Sequence, residues 1–559
     1  MRHLTRFLFL TCLALLCVTQ GSKAQQYEYL DVTPGFETLN LAIERDTLAT
    51  GLAKSMNRVY RLQRGGTYLM NGMIVNIHKA PLRIFAADGT GAKPLIIIAA
   101  TTTGASYDFA SIEGDAYFKN IYISGIDNLG NQCRYTMAVQ DSGAKLILDG
   151  VHIDHSRQSA IRSYGVDQKI FFYNCEFRNG IDLAAPSNGR FYDGRGLMVD
   201  SIVWQNCTVY LNSQRMFRVD GAIVKNLIFD HNTFYLNAYG GAVTSGTGNK
   251  MTGGIETAKG VFVRITNNIF KDINVEAIRH AKTLTPLDRV PVIPVDSLGS
   301  TTFPESSRNW VVKNNAYCWS PGFKTFWATI DSVDAPVFIG PYGDSAFFAK
   351  TPSKFVKSNN FEELIQFTDA PSSDSLLKYV QHRYKTNFNN IGNPDPRADR
   401  NGIASLTSNP NSFGLETTPF KFDYPTTLKA YTAGDGGYPL GDLNWFPTKK
   451  TQWAANPTAV EQNVIVTDYA LEQNYPNPFN PTTQINFTLP KATRMSIVIY
   501  NALGQEVATL MDNQEQSAGK HSMNWGGKDA HGNSISTGVY FYQLRTSDTQ
   551  ITKKMVLVK

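Results

Sequence analysis

The sequence predicts an all-β chain, a right-handed parallel β-helix followed by a small C-terminal β-sandwich. Three observations predict it. Seven β-prone phrases recur at unequal intervals between Ala116 and Gly322, helical three-four periodicity is absent from that region, and the rhythm changes after Leu471.

The chain opens on an expected export signal, residues 1–24. Arg2 and Arg6 precede the apolar run Phe7–Val18, and Ser22-Lys23-Ala24 places small residues at a cleavage site. Leu16, before Cys17, is bulkier than a lipidation signal takes. No later apolar run is long enough to cross a bilayer. Cleavage lowers the formal net charge from +6 to +3, and with no concentrated basic arm the composition argues against a nucleic-acid partner.

Residues 25–57 are expected to form an N-terminal cap, with a helix within Phe36–Ala49 carrying Leu39, Ala42, Ile43 and Leu48 on its apolar face. An open solenoid end would leave edge hydrogen-bonding groups exposed.

Residues 58–345 are assigned to the β-helix. Its repeats are "FKNIYISG", "LDGVHIDH", "FYNCEFRN", "WQNCTVYL", "FDHNTFYL", "ITNNIFKD" and "VKNNAYCW". Their third residues are Asn120, Gly150, Asn174, Asn206, His231, Asn267 and Asn314, at intervals of 30, 24, 32, 25, 36 and 47 residues. Each phrase alternates in period two, so coils stacked at about 4.8 Å would bury Ile123, Ile153, Phe177, Val209, Phe234, Phe270 and Tyr317 as one column. Asparagine tolerates left-handed backbone angles at such bends, so the anchors read as a ladder. Four cysteines follow the signal, and Cys175 and Cys207 occupy the same place in successive coils, as a packed thiol pair or a bridge.

On these phrases the region from about 60 to 345 resembles the pectate-lyase-like β-helix superfamily. "NCTVY", "HNTFY" and "TNNIF" are similar to coils of secreted Bacteroidota proteins near chondroitinase-B-like and alginate lyases. The resemblance implies an extracellular protein that acts on polysaccharide.

A second register lies twelve residues past three anchors, at Arg162, Arg218 and Arg279, each after two apolar residues. "GAV" (Gly241–Val243) is the expected equivalent in the coil between the last two, and the coil at Asn174 does not align. Stacked arginines repel unless acids or a bound anion lie between them. Asp193, Asp220, Glu256 and Glu276 are the nearby acids, so the face reads either as a groove for carboxylates or sulfates or as an ordinary ion-paired surface.

A uronate lyase neutralises the sugar carboxylate and supplies a base for the α-proton. Arg218 and Arg215, with His280 or Lys250 as base, are the candidate catalytic residues. Arg162, Arg279, Arg195, Tyr164 and Tyr239 are the candidate substrate contacts. Asp193 and Asp220 are candidate Ca²⁺ ligands, although no dedicated calcium loop is present and no cofactor is otherwise called for. Hydrolysis would call for grouped aspartates, and the chain has no adjacent pair. Non-catalytic glycan binding is the main alternative, with Tyr164, Tyr192, Tyr235 and Tyr239 available to stack on sugars.

Residues 346–468 read as loops, capping and linker. They include a short helix around Ser375–Tyr384 and a phrase "GDGGYPLGDLNWFP" (Gly434–Pro447) expected to pack back on the solenoid.

Residues 469–559 carry "QINFTLP", "TRMSIVIYNALGQEVATL", "GVYFYQLRT" and "ITKKMVLVK", strands of a sandwich. "NYPNPFNPTT", "IYNALGQEV", "STGVYFYQL" and "KKMVLVK" resemble the C-terminal sorting domain of the type IX secretion system of Bacteroidota. That resemblance implies export through the Sec route and then the type IX machinery to the cell surface or beyond, where the domain is removed or exchanged for an anchor. The expected partners are that machinery and an acidic polysaccharide, for a monomer without a transmembrane segment.

Overall fold

The computed structural model describes residues 27–48, 50, 53–75, 80–98, 107–127, 130–182, 188–238, 255, 259–275, 291–300, 302–329, 336–340, 343–385, 419–455, 469–489, 493–516, 519–547 and 549–558. They form two compact units, one spanning Glu28–Asn463 and one containing Val464–Lys559. Residues 1–24, the expected export signal, lie outside the described residues.

The first unit is a parallel β-helix. Among the described residues, two sheets of eleven parallel strands and a third of six run side by side, and every strand pairs with its counterpart one coil away. The expected core column is in register: Ile123 faces Ile153, then Phe177, Val209, Phe234, Phe270 and Tyr317. Tyr68 and Ile96 extend it toward the N-terminus. All but Tyr317 are buried.

The anchors occupy the bend between the first and second sheets. Asn120, Gly150, Asn174, Asn206, His231, Asn267 and Asn314 all have left-handed backbones, φ 52–66°. The stronger side-chain ladder runs through the next residue. Asn232 donates to Asn268 at 2.9 Å, Asn268 to Asn315 at 3.0 Å, and Asn315 to Asn360 at 2.8 Å. Cys175 and Cys207 continue this column as free, buried thiols, with the Cys175 amide donating to Cys207 Sγ at 3.4 Å.

The solenoid is longer than expected at both ends. Glu28–Val32 pairs with Arg58–Leu62 as a strand of the first sheet, so this N-terminal segment is part of a coil. The helix is confined to Thr38–Arg45, with Leu39 buried and Leu48 half exposed. Phe355–Ser358 and Phe361–Glu362 add terminal strands beyond residue 345. The later helix spans Ser373–Lys385.

Residues 419–455 pack back along the solenoid. Asp442 accepts a 2.7 Å hydrogen bond from Thr208, and Asn444 donates to the Asn206 carbonyl at 2.8 Å. Lys450 donates to Asn174 at 2.6 Å, and Phe420 and Phe422 lie against Tyr210. Alternation explains why this cover is needed, because the second sheet presents aromatic residues outward as well as inward.

Nearer the N-terminus the same outward face carries a paired polar network. Asp154 accepts from Arg178 Nε at 2.7 Å, Tyr122 at 2.9 Å and Asn179 at 3.0 Å, and lies 2.7 Å from His155 Nδ1. Burial alone would raise this carboxyl, but Arg178 and His155 outweigh it and hold it well below the usual range. His152 stacks on Tyr122 with ring centroids 4.2 Å apart, and burial lowers its pKa to about 4.

The C-terminal unit is a β-sandwich of a three-stranded and a four-stranded antiparallel sheet. Ile485, Phe487, Ile497, Ile499, Tyr542, Leu544, Met555 and Leu557 form its core. The proline-rich entry stretch is stitched to the last strand. Val556 N donates to Asn477 Oδ1 at 2.9 Å, Phe479 N donates to the Val556 carbonyl at 2.9 Å, and buried Asn474 donates to Thr483 at 2.8 Å.

Candidate functional site

The third sheet brings the charged register together. Its strands Ser159–Ser163, Arg190–Asp193 and Phe217–Arg218 align Ile161, Tyr192 and Phe217 in one column. The next position on each strand points to the opposite face and forms the column Arg162, Asp193, Arg218. The two arginines therefore share a register as expected, and the coil between them contributes a carboxylate.

That alternation removes the like-charge stacking the arginines would otherwise suffer. Arg162 Nη1 donates to Asp193 Oδ2 at 2.9 Å, and its guanidinium lies 4.6 Å over the Tyr135 ring and 5.6 Å from that of Tyr164. Arg190 Nη1 lies 3.7 Å from the same oxygen. Arg218 Nε is 3.9 Å from Asp193 Oδ1, and its Nε and Nη2 both donate to Asp220. The Arg195 amide lies 3.4 Å from Asp193 Oδ1.

Exposure grades across the cluster. Asp193 is fully buried and Arg162 nearly so, while the Arg218 side chain is 19% exposed and that of Asp220 is 32% exposed. Burial is the largest influence on Arg190, and with the neighbouring charges of Arg218 and Arg215 it outweighs Asp193 to lower the pKa to about 10. Arg162, Arg190 and Arg218 thus converge on Asp193, and Arg218 also on Asp220. Arg218 brings a guanidinium to the partly exposed side of the cluster, the group that pairs best with carboxylate or sulfate.

Asp193 and Asp220, expected as Ca²⁺ ligands, face guanidinium groups. Among the described residues no three His, Cys, Asp or Glu side chains gather as a metal site. Tyr164 is 45% exposed beside Arg162, as a stacking contact requires. Tyr192 is buried because it falls on the core-facing column, its hydroxyl 2.9 Å from Ser163 Oγ. Tyr235 is buried beneath the chain around Pro371, to whose carbonyl it donates at 2.7 Å. Neither is available to stack on a sugar. Lys250, His280, Arg279 and Tyr239 lie outside the described residues, as do Glu256 and Glu276.

Two features escape the sequence pattern. Phe217 bridges to Ile255, so the third sheet continues there; Gly241–Val243 lies outside the described residues. Arg190, and the place of Asp193 in the arginine register, form the second, although "FYD" (Phe191–Asp193) repeats the two-apolar-then-charged form of "AIR" and "MFR" with the sign reversed.

Residues 476–550 match the family model described as the FlgD Ig-like domain. No curated protein matches the chain. Among solved structures, dimeric latent PorU from Porphyromonas gingivalis is similar at 19% identity and TM-score 0.14, over 16% of this chain and 9% of that one. PorZ, a surface component of the type IX secretion system of the same organism, is similar at 17% identity and TM-score 0.13, over 17% and 12%. FlgD from P. aeruginosa is similar at 28% identity and TM-score 0.12, over 13% and 57%. This chain spans less than two thirds of each of these structures, and likenesses of such low score carry no functional argument.

Proposed function

We propose that this is an exported β-helix protein that recognises an acidic, uronate-containing polysaccharide on its third sheet. The observation that supports it is the convergence of three arginines on Asp193, graded from buried Arg162 to partly exposed Arg218. Arg215 and Arg218 contact the carboxylate or sulfate groups, Tyr164 stacks at the flank, and the C-terminal unit carries the secretion address. Its partners are the polysaccharide and the type IX machinery, and its destination is the cell surface or medium.

In the lyase reading Arg218 neutralises the uronate carboxylate and His280 or Lys250 takes the α-proton. The bare binder keeps the same contacts and lacks the base. Calcium bound with the substrate would reinforce that neutralisation.

The test is incubation of the purified chain with pectate, alginate, chondroitin, heparin and ulvan, with calcium and then with a chelator. Ultraviolet absorbance of unsaturated uronate and polymer retention in affinity electrophoresis are followed together. Retention with rising absorbance supports the lyase, and retention alone supports the binder. No retention and no product on any polymer overturns the proposal.

A further inference from the structure

The outer face of the second sheet carries a separate cleft. One of its columns runs Tyr210, Tyr235, Lys271, Cys318. Phe422 covers the two tyrosines, and a cleft of about 390 Å³ lies beside Lys271. That volume falls in the range of about 300–1,000 Å³ usual for small-molecule sites.

Lys271 is 6% exposed and forms part of the wall. Its ammonium donates to Ser320 Oγ at 3.0 Å, sits 3.3 Å from Asp272 Oδ2, and lies 4.7 Å over the Tyr235 ring. Two of its three protons are thereby engaged within the protein. Gln366, Phe367 and Ser373 line the walls, with Asp374 exposed at the rim.

The charge of Lys271 is answered by buried Asp272, and Asp374 adds a further negative charge, so this cleft has no attraction for a polyanion. Its hydroxyl, amide, ammonium and carboxylate groups supply donors and acceptors side by side, with Phe367 and the edge of buried Tyr235 among them. That combination suits a ligand rich in hydroxyl groups, without net charge, with a C–H face to lay on Phe367.

We propose that this cleft binds a neutral sugar residue of a glycan, independently of the arginine cluster on the third sheet. The probes are cellobiose, mannobiose and xylobiose, each titrated into the full chain and followed by saturation-transfer NMR and calorimetry. At least one binds in the millimolar range or tighter. Lys271→Met weakens it by at least about tenfold, as expected for losing a charge-assisted hydrogen bond. Asp374→Asn, at an exposed position, weakens it without threatening the fold and decides the matter if the lysine variant misfolds.

Arg218→Gln leaves disaccharide binding unchanged, so failure on the third sheet and failure here are read separately. No binding of any of the three disaccharides, or binding indifferent to both cleft variants, overturns the proposal.

Discussion

Arg162 and Asp193 sit on adjacent coils of one sheet column, joined by a 2.9 Å hydrogen bond, with both side chains buried. The carboxylate also faces Arg190 and Arg218, so a single residue holds the cluster together. Asp193→Asn preserves shape but removes the charge that compensates buried guanidinium groups. The expected loss is about 3–5 kcal/mol of stability, measured by urea unfolding. A variant as stable as the parent would contradict this role.

Arg218 stands at the solvent edge, where side-chain removal affects binding more than folding. Arg218→Gln is expected to change stability by less than about 1 kcal/mol while weakening retention on acidic polysaccharide. The lost retention shrinks as salt is raised, because screening has already removed part of the attraction. Affinity electrophoresis at two ionic strengths measures both effects.

The asparagine ladder makes a separate prediction about the solenoid. Asn268 is fully buried, donating to the Phe229 carbonyl at 2.9 Å and linking Asn232 to Asn315. Asn268→Ala leaves several of these groups without partners, at a cost of about 1–3 kcal/mol for each buried group left unsatisfied. Thermal unfolding should show a larger drop than for Asn513→Ala, at an exposed position of the strand Glu506–Gln516.

His152 predicts how stability follows pH. Burial lowers its folded pKa to about 4, with Arg178 also lowering it and Glu176 opposing. An unfolded histidine titrates near 6.5. The unfolded state therefore takes up the proton first, so this contribution is complete above about pH 6.5 and is lost as pH falls toward about 4. Urea midpoints of the parent should decline across that window, and those of His152→Gln should decline less.

Cys175 and Cys207 are expected to resist thiol reagents in the native state. Both are buried, and burial pushes the Cys207 thiol well above its ordinary pKa. Rapid labelling by Ellman's reagent without denaturant would show that these coils open.

Much of the fold was legible because the β-helix repeats its local chemistry. A period-two phrase with an asparagine at its bend identified the stacked column and the left-handed anchors residue by residue. The shared register of Arg162 and Arg218 was legible for the same reason. Register across loops of unequal length was not legible, since the bridge from Phe217 to Ile255 follows no local repeat phrase. Tyr192 was misassigned because its facing depends on strand parity, which only its pairing with Ile161 and Phe217 reveals.

The returning segment, residues 419–455, has a practical consequence for dissecting the chain. Asp442 and Asn444 contact residues more than 230 positions earlier. A recombinant fragment cut where the repeats end, after Glu362, would leave the aromatic outer face of the second sheet bare and prone to self-association. The shortest soluble version of the solenoid therefore runs through Ala455, and its boundary is set by the last chain segment that shelters it.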